Sequence, residues 1–176
     1  LIGPGSPTYA VRQLLASPVP DIFEEIIRKG GCVVFASAAA LTAGTHTLPV
    51  YEIYKVGESP HWKEGLDLLG RFGFHWVVLP HWNNAEGGTH DTRFCFMGQP
   101  RFAHLQSLLP AGTTVVGLDE HTACMIDFAQ SQFEIRGLGR MTLRRDDSER
   151  HFEKGRSYPL SDLHEFAPAE SADATD

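Results

Sequence analysis

The run Val33-Val34-Phe35-Ala36-Ser37-Ala38-Ala39-Ala40-Leu41 decides how the chain is read. β-Branched and aromatic residues stop abruptly at small helix formers, the pattern of a buried strand turning sharply into a helix. A lone serine stands at the turn. Open α/β proteins hold their ligands at the carboxyl edge of the sheet, where such a hydroxyl would be presented. A nucleophilic serine also needs a base, and donors for a developing oxyanion. Taken alone, Ser37 reads first as a small residue at a tight junction that caps the next helix.

Working outward, Cys32 to Ala36 reads as a first buried strand and Ala38 to Ala43 as a short helix ended by Gly44. His75-Trp76-Val77-Val78-Leu79, closed by Pro80, reads as a second strand, and Thr113-Thr114-Val115-Val116-Gly117-Leu118 as a third. Helical patterns run from Tyr9 to Ala16 behind Thr8, from Ile22 to Lys29 behind Asp21, from Leu66 to Phe72, and from Pro100 to Leu109. Val50 to Val56 fits strand or helix. Ala123 to Phe128 and Gln132 to Arg136 flank a polar turn and predict a hairpin, with a further strand over Arg140 to Arg145. Strands alternating with helices, followed by a β-rich section, predict an α/β three-layer αβα sandwich. One domain is expected over residues 1–166, and a disordered tail over 167–176, where apolar content is low.

Composition narrows the function. The 176 residues carry a net charge of -7, which argues against nucleic acid as the partner, because phosphate binding needs a basic face. No apolar run approaches the roughly 20 residues that span a bilayer, so no membrane role is expected. The start has no secretory signal pattern. Cys32, Cys95 and Cys124 are too few and too scattered for a disulfide framework or a C-x-x-C site, and predict reduced thiols in a cytoplasmic protein.

Three chemistry-bearing stretches follow the three core strands: Ser37, then His81, then Asp119-Glu120. A hydroxyl, an imidazole and a carboxylate converging on one sheet edge is the geometry of a nucleophilic triad. Within it, His90 is a rival base in the loop from His81 to Thr92, and Asp119 a rival acid. The same loop offers His81, Glu86, His90 and Asp91 as metal donors, but at looser spacing than zinc sites use, so no metal is expected. Arg93 and Arg101 could fork onto an acidic substrate group.

Gly3-Pro4-Gly5-Ser6-Pro7-Thr8-Tyr9, Ala36-Ser37-Ala38-Ala39-Ala40, Pro80-His81-Trp82 and Gly117-Leu118-Asp119-Glu120-His121-Thr122-Ala123 occur in the order found in one known family. Over residues 3–145 the chain resembles the cyanophycinase and dipeptidase E family of serine peptidases, within the class I glutamine amidotransferase-like superfamily. The resemblance implies a flavodoxin-like sandwich and a serine-type hydrolase of a small peptide or amide bond. Ser37 would be nucleophile, His81 general base and Glu120 the orienting acid. Gly5 and Ala38 would offer backbone N–H groups to the oxyanion, with Asn83 and Arg93 in the substrate loop. It also implies an amino-terminally truncated member, because the family's first strands precede the glycine-rich loop. Two positions depart from the family pattern: Phe35 and Ala39 stand where glycines flank the serine. A catalytically inactive domain that binds a small ligand at the same edge is the alternative. No cofactor is expected. The expected partners are a small-molecule or peptide substrate and, with the oligomeric state left open, a second copy in a homodimer.

Overall fold

In the computed structural model of the protein the described residues are 1–164, so the tail expected over 167–176 lies outside them. The chain is a mixed α/β protein with more sheet than helix. Helix α1 (Pro7–Leu15) starts two residues earlier than predicted: Ser6, not Thr8, is the cap, and its Oγ accepts the Tyr9 N–H at 3.2 Å. Pro7 at the first helical position, with its fixed φ, suits that start. Helix α2 (Val19–Arg28) begins behind Pro18, which leaves Asp21 inside the first turn, where the helix dipole favours an acid.

The expected strand over Cys32–Ala36 is reduced to one parallel bridge between Phe35 and Ile2. The Ile2 N–H donates to Val34 O at 2.8 Å and the Ala36 N–H to Ile2 O at 2.9 Å. A strand is a ladder, and Ile2 supplies a single rung. Ser37–Thr42 then forms a 3-10 helix. Beyond it, β1 (His46–Thr47) and β2 (Lys63–Glu64) make a two-stranded ribbon. Val50–Val56 is helical, with Glu52–Val56 a π-helix stopped by Gly57. Only Gly70–Phe72 of the helix expected over Leu66–Phe72 forms. Its backbone is diverted: the Leu66 N–H donates to Thr42 O, and the Asp67 N–H to Gly44 O.

The central sheet joins β3 (Trp76–Leu79), β4 (Thr114–Leu118), β7 (Met141–Arg145) and β8 (Ser148–Phe152) in the order β3-β4-β7-β8. Only β3 and β4 are parallel, with Leu79 opposite Gly117. A second, antiparallel sheet joins β5 (Thr122–Asp127), β6 (Gln132–Gly137) and β9 (Arg156–Pro159). The alternation of strand side chains sorts the core. Val77, Leu79 and Val115 face a cluster with Phe102 and Leu105 of α3 (Gly98–Ser107). Trp76, Val116, Met141 and Leu143 face Phe133 and Ile135 of β6, so sheet packs on sheet there. A third cluster sets Val11, Phe23 and Ile27 of α1 and α2 against Leu66, Leu68 and Phe35. Among the described residues, no helix is long and apolar enough to cross a membrane.

Candidate active site

Parallel register brings two of the three chemical groups together. With Leu79 beside Gly117, the residues that follow each strand leave the sheet side by side, and the Trp82 N–H donates to Leu118 O at 2.9 Å. His81 and Glu120 therefore meet beyond the strand ends, His81 Nδ1 lying 2.8 Å from Glu120 Oε2. A carboxylate only accepts, so Nδ1 carries the proton and Nε2 is left as an acceptor. Ser37 Oγ lies 2.9 Å from that Nε2. Hydroxyl, imidazole and carboxylate thus form one continuous chain of contacts, each partly buried.

The serine is held on a strained turn. Ala36 is extended (φ -115°, ψ 133°) and Ser37 is left-handed (φ 53°), opening the 3-10 helix. A non-glycine residue in that region costs about 1–2 kcal/mol, and such outliers gather at functional sites. Alanine fits where the family has a second glycine, because Ala39 is buried in that helix and its N–H closes the turn onto Ala36 O at 3.1 Å. Phe35 avoids the elbow altogether. Its ring turns onto Phe23 of α2, edge to face at 5.6 Å between centroids.

The acid has further support. Asn84 Nδ2 donates to Glu120 Oε1 at 2.6 Å, and the Glu120 N–H donates to Asn83 Oδ1 at 2.8 Å. Asn84 is 2% exposed, and its own Oδ1 accepts the Glu86 N–H. Burial would raise the Glu120 pKa, but the hydrogen bonds from Asn84 and His81 outweigh it and hold the carboxyl below its ordinary value. Asp119, the rival acid, is engaged elsewhere: its Oδ2 accepts the Arg140 N–H at 3.0 Å. His90, the rival base, is exposed in the loop, where its backbone N–H donates to Gly87 O. Gly117 is required where it stands, because a side chain there would enter the Trp82 ring.

The remaining predicted residues are distributed around this centre. Ala38 follows Ser37 as the second residue of the 3-10 helix, a position whose N–H helical bonding leaves unused. Gly5 is exposed in the loop before α1, three residues beyond the Ile2–Phe35 bridge, while Ser37 is two residues beyond it. Both chains thus leave the bridge at the same edge. Arg93 is forked onto Asp91, Nε to Oδ1 at 2.9 Å and Nη2 to Oδ2 at 2.8 Å. Asp91 Oδ2 also accepts the Gln99 N–H at 2.9 Å, in the first turn of α3. Arg101 is exposed on α3. The donors of the metal reading are divided in the same way, with His81 facing Ser37 and Glu120 and Asp91 bound to Arg93. Burial, reinforced by the Glu120 charge, pushes the Cys95 thiol up to about 12, and burial does the same to Cys124. Neither thiol is a nucleophile at neutral pH.

Two features escape sequence reading. Asn84 is one; the adjacent asparagines in Asn83-Asn84 after the histidine were its signal. The other is the run Phe94-Cys95-Phe96, all left-handed (φ 57°, 56° and 68°). It is pinned by bonds from the Phe94 N–H to Trp82 O and from the Cys95 N–H to His81 O. Three such residues in a row cost several kcal/mol at about 1–2 each, and nothing in an apolar tripeptide announces it.

Neither family models nor curated proteins give a match to the chain. Among solved structures it is similar to the crystal structure of a peptidase from an acI-B1 Actinobacterium, at 20% sequence identity and a TM-score of 0.65. The likeness covers 89% of this chain and 57% of that one. The chain therefore has a peptidase-like α/β fold and spans just over half the length of that relative. At such identity the likeness is one of fold.

Proposed function

We propose that the chain is a serine-type hydrolase of a peptide or small amide bond, built on the flavodoxin-like sandwich of the cyanophycinase and dipeptidase E family. The observation that carries this reading is the in-line relay from Ser37 Oγ through His81 to Glu120, at 2.9 Å and 2.8 Å. The peptidase-like fold supports it independently.

In this reading His81 Nε2 takes the Ser37 proton as Oγ attacks the carbonyl carbon. Glu120 holds the imidazole tautomer and stabilises the imidazolium that forms. The N–H groups of Ala38 and Gly5 receive the developing oxyanion. His81 then returns the proton to the leaving amine, and the C–N bond breaks to leave an acyl group on Ser37. Water, deprotonated by the same imidazole, releases the acid. In this reading the left-handed Ser37, with its Oγ against His81 Nε2, has the place an elbow gives its nucleophile.

The test is labelling of the full-length protein by a fluorophosphonate, followed by peptide mapping. Wild type is expected to be modified at Ser37, and Ser37→Ala, His81→Ala and Glu120→Gln to lose or strongly slow the reaction. A folded wild type that stays unlabelled would overturn the reading in favour of a domain that only binds its ligand.

A further inference from the structure

Two unusual backbone segments meet beside His81. One is the π-helix Glu52–Val56, a form that recurs at functional sites. The other is the left-handed run Phe94-Cys95-Phe96. They touch through Tyr54 and Phe96, whose ring centroids are 5.7 Å apart. Phe96 in turn lies 5.7 Å from the His81 ring, tilted by 47°. Phe94 and Cys95 of the same run are buried, as a packing role requires, but Phe96 is only partly buried and Tyr54 is 43% exposed. An aromatic step thus stays open to water next to the imidazole, held there by strained backbone.

We infer that Tyr54 and Phe96 form the wall of a subsite for an apolar, preferentially aromatic, side chain of the substrate, next to the bond that Ser37 attacks. This rests on the hydrolase reading. Exposed rings beside a reacting centre gain by covering another ring, through burial and offset or edge-on stacking. The charge pattern favours the same class, because the Arg93 guanidinium already lies against the Asp91 carboxylate and is compensated within the loop. An acidic substrate side chain would find that cation already paired.

The test compares diphenyl phosphonates carrying a benzyl, a methyl or a carboxymethyl side chain, used on the full-length protein. In each reaction Ser37 Oγ bonds to phosphorus, one phosphorus–oxygen bond to a phenoxide breaks, and the serine proton passes by way of His81 to the departing phenoxide. Rates are read by mass spectrometry and divided by each protein's own rate with a small alkyl fluorophosphonate. Wild type is expected to react with the benzyl compound roughly tenfold faster than with either other. Phe96→Leu and Tyr54→Ala are each expected to cut that preference to about twofold or threefold. Tyr54 is exposed, so its variant tests the wall without disturbing the core. A folded wild type inert to the fluorophosphonate overturns the hydrolase reading and this subsite with it. A labelled wild type showing no benzyl preference, or one that both variants retain in full, overturns the subsite alone.

Discussion

Asn84 grips the Glu120 carboxylate from the side opposite His81, donating from Nδ2 to Oε1 at 2.6 Å while the imidazole takes Oε2. A buried amide is thereby fixed to a carboxylate and favours its charged form. Hydrogen bonds to charged groups are worth about 1.5–3 kcal/mol.

Asn84→Ala is expected to destabilise the protein by about 2 kcal/mol at neutral pH. The folded-state pKa of Glu120 lies below its ordinary value of 4.5, so the stabilisation is complete above that value and is lost as pH falls through the folded pKa. The gap between wild type and variant should therefore narrow on acidification. Urea midpoints measured from pH 7 down to pH 3 check this; a gap that stays constant would mean Asn84 acts without Glu120.

Ser37→Gly and Ser37→Ala both remove the hydroxyl, but only glycine accepts φ 53° without a steric cost. The glycine variant is expected to be the more stable by about 1 kcal/mol, with a higher melting temperature. Equal melting temperatures would show that the turn relaxes once the hydroxyl is gone.

Gly117→Ala inserts a methyl group into the Trp82 ring, which stacks edge-on to Phe94 and Phe102. Overpacking of this kind costs about 1–3 kcal/mol. Because Trp82 adjoins His81, fluorophosphonate labelling should slow as well. Thermal unfolding and labelling rate measured on one preparation test both effects.

Asp91→Ala removes the side-chain acceptor of the Gln99 N–H in the first turn of α3 and frees Arg93. A lost cap costs about 1 kcal/mol. Arg93, then the Gln99 N–H, holds the Asp91 carboxyl well below the usual range, so the loss should persist at mildly acidic pH and fade only in strong acid. Calorimetry at pH 7 and pH 4 distinguishes this from a surface ion pair, whose removal would hardly register.

Much of the arrangement was legible in the chain because it rests on strand ends. The apolar runs before Pro80 and Asp119 marked β3 and β4, and the residues just past them, His81 and Glu120, are those that meet. Ser37 was legible for the same reason, although its strand is a single bridge. What escaped depends on contacts between distant segments. The Leu66–Phe72 pattern was helical, but Thr42 and Gly44 carbonyls claimed its N–H groups. The charged residues of Ser148-Glu149-Arg150-His151 masked β8, although Asp146-Asp147 between two strands was a hairpin turn signal. Phe35 stands where the resemblance puts a glycine, and only the fold shows that its ring belongs to the packing of α2.

The parallel register of β3 and β4 has one more consequence. Since the pairing of His81 with Glu120 is inherited from the sheet, the exposed stretch around Gly88, Thr89 and His90 carries none of it. A reporter peptide or an affinity handle spliced in there would leave the Ser37–His81–Glu120 contacts intact, making that tip the natural place to tether the protein for single-molecule work.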